Sequence, residues 1–430
     1  MSAVVEEFGG IDVSNRRALG EVQKGYTAFA QGDVLFAKIT PCMENGKIAL
    51  VPPLPDHIAY GSTEFQVLRV NGGVTPRWLA HFVAQSEFRR LARRNMTGSA
   101  GQMRVPTSWL AAASIPIAPL REQHRIVEKL EELLCDLDAG VAELRAAQAK
   151  LKLYRQSLLK AAVTGDLTVE WRERMAAGEA SNLHGPDGDE LPAGWTQVRV
   201  GDLARVGTGV TPLRSRADYF EGGTFPWVTS GALNVNVVLG ASELLTPVAL
   251  SECRLQIFPP GTLLVAMYGE GKTRGKCSEL GFASTINQAI AAIVLHPESV
   301  GNKRFLKIFL LYSYAKMREQ ASGGVQPNLN LQIIKNIEVP LPPPDEQRVV
   351  VEVLDGLLEN IAEQTTAITH ALRQSEAQRK NILQAAFSGQ LVPQDPSDEP
   401  ASVLLQRIRA SRAGKATAPT RRPRKAREPA

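Results

Sequence analysis

The fold is decided by a stretch of heptads at residues 121–161, which reads REQHRIVEKLEELLCDLDAGVAELRAAQAKLKLYRQSLLKA. Leucine stands at every seventh position of this stretch, at Leu130, Leu137, Leu144, Leu151 and Leu158. An apolar period of seven residues is typical of a coiled-coil helix. At about 1.5 Å per residue the stretch predicts a helix of roughly 60 Å. Because one helix cannot bury such a stripe alone, the pattern also predicts a partner helix.

A second copy of this stretch occupies residues 345–385 and reads DEQRVVVEVLDGLLENIAEQTTAITHALRQSEAQRKNILQA. Its seam is weaker, because Ser375 interrupts the apolar positions Leu354, Ile361, Ile368 and Ile382. Both copies open on Glu-Gln after a proline-bearing segment, and a shift of 224 residues aligns them without a gap. The alignment continues past the heptads, from 161–167 to 385–391. We therefore predict an internal repeat with two long antiparallel helices.

The segments before the two helices are also related. Residues 32–38 and 261–267 both predict a strand that follows a turn, and they match at an offset of 229. In the first segment, residues 65–70 predict a second strand, residues 78–94 a helix and residues 114–120 a short strand. The fold class predicted is α+β, with two duplicated α/β domains and the two long helices.

The predicted boundaries follow from these patterns and from composition. The first α/β domain covers 1–120, the first long helix 121–163, a turn-rich linker 164–190, the second α/β domain 191–344, the second long helix 345–389, and a disordered basic tail 390–430. Most of the net charge of +5 belongs to that tail, so the remainder of the 430 residues is close to neutral. A DNA-binding face would therefore be a local patch.

Cysteine content and hydropathy exclude several classes of protein. The four cysteines form no Cys-x-x-Cys pair, which argues against a zinc site or a disulfide framework. No apolar run reaches the roughly 18 residues of a membrane span, and no signal peptide is recognisable. These features predict a protein of the reducing cytoplasm.

With these patterns established, the chain resembles the specificity subunit of type I restriction–modification systems over nearly its whole length. The motifs that carry the resemblance are Leu191-Pro192-Ala193-Gly194-Trp195, Phe225-Pro226-Trp227-Val228 and the closing run from Leu383 to Leu391. The resemblance implies that each α/β domain is a target-recognition domain that reads one half of a split DNA target. It also implies that the helix pair sets the spacer and docks two adenine-methyltransferase subunits, which a motor-nuclease subunit joins. S-adenosylmethionine, ATP and magnesium would belong to those partners, and this chain would hold no cofactor or metal.

Two other readings compete with this one. Residues 266–273 come close to a phosphate-binding P-loop, although Ala266 replaces its first glycine and no helical period follows. The alternative is thus a coiled-coil scaffold or P-loop-like nucleotide-binding protein without a DNA role. No methyltransferase motif, nuclease motif or metal-binding histidine spacing is recognisable, so we expect a chain without catalysis.

Polar loops around the predicted strands are the candidates for DNA contact. The candidate residues are Lys38, Lys47, Gln102 and Arg104 in the first domain, and Arg214, Arg216, Tyr268, Lys272, Arg274, Lys276, Gln326, Asn328 and Asn330 in the second. Lysine is expected mainly at phosphates, and arginine, glutamine and asparagine at base edges. For any single residue, an ordinary solvated loop residue is the favoured interpretation, whereas for the loops as groups DNA contact is favoured.

The two α/β domains differ in length at their beginning. At the offset of 229, Met1 corresponds to Ser230, so residues 191–229 have no counterpart in the first domain. These residues include the Leu-Pro-Ala-Gly-Trp motif and two apolar segments that predict core strands. We therefore expect a first domain that is N-terminally incomplete, with unpaired sheet edges and loose folding.

Overall fold

The computed structural model describes residues 1–99, 101–175, 190–267, 276–320 and 329–416. The chain divides into two compact units, one made of residues 1–145 and 369–430 and the other of residues 146–368. Each unit contains one α/β domain and one half of each long helix, so the α+β fold predicted from the sequence is confirmed.

The first unit is built on a small antiparallel sheet. Its strands are β1 (Thr27–Ala30), β2 (Val34–Ala37), β3 (Ile48–Leu50), β4 (Ile58–Gly61) and β5 (Phe65–Leu68), and its short helices are α1 (Leu19–Val22), α2 (Pro76–Ala84), α3 (Ser86–Arg94) and α4 (Thr107–Ala112). The sheet order is β3-β2-β5, and β1 pairs with β4 separately. Alternate side chains of β2 enter two different cores, Val34 and Phe36 one of them and Leu35 and Ala37 the other. This alternation follows from the two-residue period of a strand.

The second unit has a larger version of the same sheet. Its strands are β6 (Thr196–Arg199), β7 (Ala204–Thr208), β8 (Phe225–Val228), β9 (Val237–Val238), β10 (Glu243–Leu245), β11 (Leu263–Ala266), β12 (Cys277–Leu280), β13 (Thr285–Ile286), β14 (Ile290–Leu295) and β15 (Glu338–Leu341). Its short helices are α7 (Val200–Leu203), α8 (Pro247–Glu252), α9 (Lys303–Gln320) and α10 (Leu331–Lys335). The main sheet order is β7-β14-β11-β12-β9. Central β11 also alternates between two cores, which supports its equivalence to β2.

The two long helices are α5 (Leu120–Thr164) and α11 (Pro344–Phe387). In the first unit, the start of α5 shares a core with the end of α11, through Leu130 and Ala386. In the second unit, the end of α5 shares a core with the start of α11, through Leu158 and Leu354. The two helices are thus antiparallel within each unit, as the sequence predicts.

The predicted seam positions are protected from solvent, but unequally. Leu130, Leu158, Leu354 and Ile361 are buried, whereas Leu137, Leu144, Leu151, Ile368 and Ile382 are half-buried. The ends of the seam are more deeply buried because the α/β domains pack there as well.

The tail predicted to be disordered, residues 390–430, instead contains helix α12 (Ala401–Ala416). Leu404 is buried, and the Ile408 side chain lies against Gly73. Apolar residues at a spacing of four therefore outweigh the polar composition on which the prediction rested. Residues 417–430 lie outside the described part of the chain.

Two further element predictions need correction. Residues 78–94 form two helices, because the backbone of Gln85 is extended between α2 and α3. Part of the predicted linker, residues 164–190, is a helix, α6 (Val169–Met175). The apolar spacing of these short segments does not predict the break at Gln85 or the helix α6.

Residues 114–120, predicted as a short strand, form no strand. Their counterpart in the second unit, β15, pairs with β6 alone. No strand described in the first unit pairs with residues 114–117 as β6 pairs with β15. An extended segment forms part of a β-sheet only when its backbone hydrogen-bonds to a neighbouring strand.

A buried carboxylate joins the start of α11 to the Leu-Pro-Ala-Gly-Trp motif. Glu346 is almost completely buried. Its carboxylate accepts hydrogen bonds from Trp195 Nε1 at 2.9 Å and Thr168 Oγ1 at 2.7 Å, and it pairs with Arg172. The motif therefore supplies one of the donors that make burial of this charge tolerable.

We expect the Trp195→Phe substitution to destabilise the second unit by about 1.5–3 kcal/mol, because the buried carboxylate loses a charge-assisted hydrogen bond. The free energy of unfolding is measured by urea titration, with the unfolding of β14 monitored by hydrogen exchange. Trp171→Phe is the matched control, since Trp171 is half-buried and makes no hydrogen bond through its indole among the described residues. Equal losses for the two variants would contradict a specific role for the Trp195 bond.

Candidate nucleic-acid interface

In the first unit, two loops meet at one end of the sheet. Residues 38–47 connect β2 to β3, and residues 97–105 follow α3. Thr40 N donates to the Met103 carbonyl at 3.0 Å, and Val105 N donates to the Lys38 carbonyl at 2.8 Å. The Thr40 hydroxyl accepts from Met103 N at 3.2 Å. These bonds hold the second loop against the first, so their side chains form one surface.

Glycine is required at one position of the second loop. Gly98 has a φ of +131°, and a Cβ at this position would lie 2.8 Å from the Gln102 carbonyl oxygen. A side chain would therefore clash with the backbone and strain the residue. Gly98 thus permits the tight return that brings Gln102 to the surface.

A cavity of about 640 Å³ lies beside these loops. The lining residues are Thr40, Glu44, Arg90, Arg93, Arg94, Met96, Gly101 and Met103. Arg93 pairs with Glu44 at 2.8 Å, and Arg90 pairs with Glu87 at 2.5 Å. Arg94 makes no ion pair with any residue that the structure describes. The cavity therefore presents an uncompensated positive charge of the kind that phosphate recognition requires.

Helix α3 places the three arginines. Phe88 and Ala92 are buried in the core at positions four residues apart, which turns Arg90 and Arg94 together to the outside. Our sequence reasoning missed these residues, although the run Arg89-Arg90-Leu91-Ala92-Arg93-Arg94 carries the signal. An amphipathic helix with arginine at this density next to a glycine-bearing loop favours an anion-binding face.

The four residues predicted for the first domain all lie near this surface, but they differ in exposure and in ion pairing. Lys38 and Lys47 are half-exposed in the first loop, and Gln102 is exposed in the second. Arg104 makes a two-pronged contact with Glu64, at 2.9 Å from Nε and 2.8 Å from the terminal nitrogen. This hydrogen bonding lowers the pKa of Glu64. Arg104 is therefore held by its own domain, whereas the other three remain available to a ligand.

In the second unit, Arg214 and Arg216 are held in a similar way. The Arg214 guanidinium lies 4.9 Å from the centre of the Phe220 ring and pairs with Glu243. Arg216 lies over the Tyr219 ring and pairs with Asp218 and Glu252. Reading a base would require each of them to leave an ion pair and an aromatic face.

Two other predicted residues of the second unit have internal partners. Asn330 caps helix α10, with its Oδ1 accepting from Ile333 N at 2.8 Å. Lys276 Nζ donates to Asn234 Oδ1. Tyr268, Lys272, Arg274, Gln326 and Asn328 lie outside the described residues. Of the residues predicted for this unit, the structure thus brings none into a described site.

The P-loop interpretation is wrong on geometric grounds. A P-loop connects a strand to a helix whose N-terminus faces the phosphates. Here β11 is followed by β12, and the two strands pair antiparallel through Leu263 and Glu279. Most of the segment that resembles a P-loop lies outside the described residues, and the strands on either side of it pair with each other.

Metal-binding clusters and membrane-spanning helices are both absent from the described ranges. Within them, no group of three or more His, Cys, Asp or Glu side chains could hold a metal ion. Nor does any helix described there combine the length and apolar character of a membrane span.

Comparison with known proteins identifies relatives. A profile for the type I restriction modification DNA specificity domain matches residues 192–373. The EcoEI specificity subunit of Escherichia coli is 33% identical over 176 residues, which is 40% of this chain and 30% of that subunit. The StySPI specificity subunit of Salmonella potsdam is 24% identical over 80% of this chain and 74% of that subunit.

A solved structure agrees with the sequence matches. It was determined in work on complex assembly and conformational transition of the type I R-M system, and it is 25% identical with a TM-score of 0.71. The likeness covers 90% of both chains, so it includes both α/β domains and both long helices. By its duplicated architecture, its domain match and these relatives, the chain is similar over most of its length to type I restriction–modification specificity subunits.

Proposed function

We propose that this chain is the DNA-recognition subunit of a type I restriction–modification complex. Each α/β domain reads one half of a bipartite target in double-stranded DNA. The observation that carries the proposal is the repeated sheet, in which β2 pairs with β3 and β11 pairs with β12 antiparallel in the same register. In the first unit the loop between β2 and β3 borders the arginine-lined cavity.

The antiparallel helices are proposed to set the distance between the half-sites. Residues of both helices belong to each unit, so a change of helix length would alter both at once. A continuous helix is stiff over the roughly 60 Å that α5 and α11 each span, which is comparable with two turns of B-DNA. This length suits a spacer.

The exposed faces of the helices are proposed to dock two adenine-methyltransferase subunits, which a motor-nuclease subunit joins. The chain itself carries no catalysis and no cofactor in this proposal. S-adenosylmethionine, ATP and magnesium bind to the partner subunits. The complex acts on DNA in the cytoplasm. The relatives named above, which are specificity subunits of restriction enzymes, support this assignment.

The scaffold without a DNA role is the weaker alternative. It gives no reason for a cluster of arginines beside two joined loops at the sheet end. The experiment that separates the two is selection from random-sequence duplex DNA by the chain, coexpressed with its methyltransferase partner. We expect two short conserved half-sites with a fixed gap. Recovery of unselected sequence would refute the proposal.

Within this function, we expect Arg94→Ala to weaken binding of all duplexes nearly equally and to reduce the slope of log affinity against log salt by about one. The reason is that Arg94 offers a positive charge to phosphate and makes no ion pair with the residues that the structure describes. Fluorescence anisotropy at several salt concentrations measures both quantities. Arg17→Ala is the matched control, since Arg17 is an exposed arginine of the same unit. A loss confined to the selected sequence would instead make Arg94 a base reader.

A further inference from the structure

The arginine-lined cavity of the first unit also contains one acidic side chain. Among the described residues that line it, Glu44 alone carries a carboxylate. The Glu44 side chain is 29% exposed, so it can reach a bound ligand. A carboxylate repels DNA phosphates and weakens any attraction that depends on charge alone. A surface that only attracts phosphate gains nothing from this carboxylate, which therefore needs a separate explanation.

The backbone at Glu44 is fixed by its surroundings. The Glu44 carbonyl accepts a hydrogen bond from Arg89 Nη1 at 2.8 Å. Asn45 N donates to the Pro41 carbonyl at 2.9 Å, which closes the loop around Glu44. The neighbouring Met43 is fully buried, so the loop is anchored in the core. The carboxylate is therefore presented to the cavity by a backbone that has little freedom to move.

The ion pair between Glu44 and Arg93 is loose. Glu44 Oε1 lies 2.8 Å from Arg93 Nε, but no aligned hydrogen bond joins these two side chains in the described structure. Arg104, by contrast, donates to both carboxylate oxygens of Glu64. The Arg93 side chain is 70% exposed, and an ion pair so open to solvent contributes little free energy. Arg93 can therefore leave Glu44 for another anion at small cost.

From this arrangement we infer that Glu44 is a specificity-determining residue of the first unit, an inference that rests on the proposed function. In the free chain, and on DNA of unselected sequence, Glu44 pairs with Arg93. On the target, Arg93 moves to a phosphate oxygen of the DNA. The Glu44 carboxylate then accepts a hydrogen bond from the exocyclic amino group of cytosine or adenine in the major groove.

Selectivity follows from the bases that Glu44 rejects. Guanine and thymine present only acceptor atoms and a methyl group to the major groove, so they offer no donor to a carboxylate. Beside them, Glu44 would lose water without gaining a hydrogen bond, and binding would be penalised. Arg94 attracts phosphate whatever the sequence, whereas Glu44 admits DNA to the cavity only where an amino group is present.

The test compares the original chain with Glu44→Gln, each coexpressed with the methyltransferase partner and selected on random-sequence duplex DNA. An amide both donates and accepts, so one half-site should lose its preference for cytosine or adenine at one position. The other half-site should be unchanged. Affinity for unselected duplex should rise by about two- to fivefold. Glu21→Gln, an exposed glutamate of the same unit, is the matched control and should keep the original selectivity.

Replacement of Arg93 tests the exchange of partners. Arg93→Ala in the original chain should weaken binding of the selected target by about fivefold and leave unselected duplex nearly unchanged. The reason is that only the target draws Arg93 away from Glu44. In the Glu44→Gln chain, the same replacement should also reduce the salt slope on unselected duplex by about one. Fluorescence anisotropy at several salt concentrations measures these quantities.

The outcomes separate this inference from the proposed function. If the original chain selects no half-sites, the proposed function itself fails. If it selects two half-sites and Glu44→Gln selects the same ones, the inference is overturned. Equal weakening of target and unselected duplex by Arg93→Ala would make Arg93 an ordinary phosphate contact and would also overturn it. So would a loss of both half-sites in Glu44→Gln, or relaxed selectivity in Glu21→Gln.

Discussion

Replacing Leu130 with lysine is expected to destabilise the first unit by at least about 3 kcal/mol. Leu130 is fully buried between Trp78, Ile126 and Ala386, at the point where α5, α11 and the α/β domain meet. The substitution removes apolar contacts and places an ammonium group in an apolar core. We expect earlier unfolding of β2 and α2 in urea, measured by hydrogen exchange.

The same substitution at Leu153 gives the matched control. Leu153 lies on α5 and is 65% exposed, so lysine can extend into water there. A change within about 0.5 kcal/mol is expected at such a surface position. Lysine at half-buried Leu137 should fall between the two. If all three variants unfold alike, the seam contributes little and the packing argument fails.

A longer helix pair is expected to lengthen the gap in the DNA target. The ion pair between Asp138 and Arg379 sets the register of the two helices in the first unit. Seven residues further along α5 and seven back along α11, Arg145 lies level with Leu372. Insertion of one heptad after Leu144 and one after Leu372 preserves the seam and adds ~10 Å. This is about three base pairs of B-DNA.

Selection from random-sequence duplexes measures the result. The two half-sites should remain the same while the gap between them grows by about three base pairs. Insertion into α5 alone is the control, and it should abolish selection because the seams no longer match. An unchanged gap in the double insertion would count against the proposed spacer.

Much of the architecture could be predicted because it depends on periodic patterns. The heptads of residues 121–161 and 345–385 identify two helices that need partners, and their matching flanks reveal the duplication. The central strands β2 and β11 were recognisable as short apolar runs after a glycine turn. Burial follows directly from these periods, since apolar surface must leave water wherever a partner is available.

The candidate site could be predicted less well from sequence patterns. In the sequence, Arg104, Arg214 and Arg216 look like any free arginine, but Glu64, Glu243 and Glu252 pair with them. Glu64 lies 40 residues from Arg104, and Glu243 lies 29 residues from Arg214. Pairing between distant charges is decided by packing, and no local pattern reports it. The proximity of the α3 arginines to the loop at residues 97–105 is likewise a tertiary contact, so only the structure shows that they belong to the same surface.

The sequence by itself determined the duplication and the antiparallel helices, because both depend on the order and period of residues. Only the tertiary structure decided which charges are free, that residues 401–416 form a helix, and that residues 114–117 form no strand. A strand exists only through its ladder partner, and a charge is available only when no neighbour pairs with it. Both conditions depend on contacts between residues that are far apart in the chain.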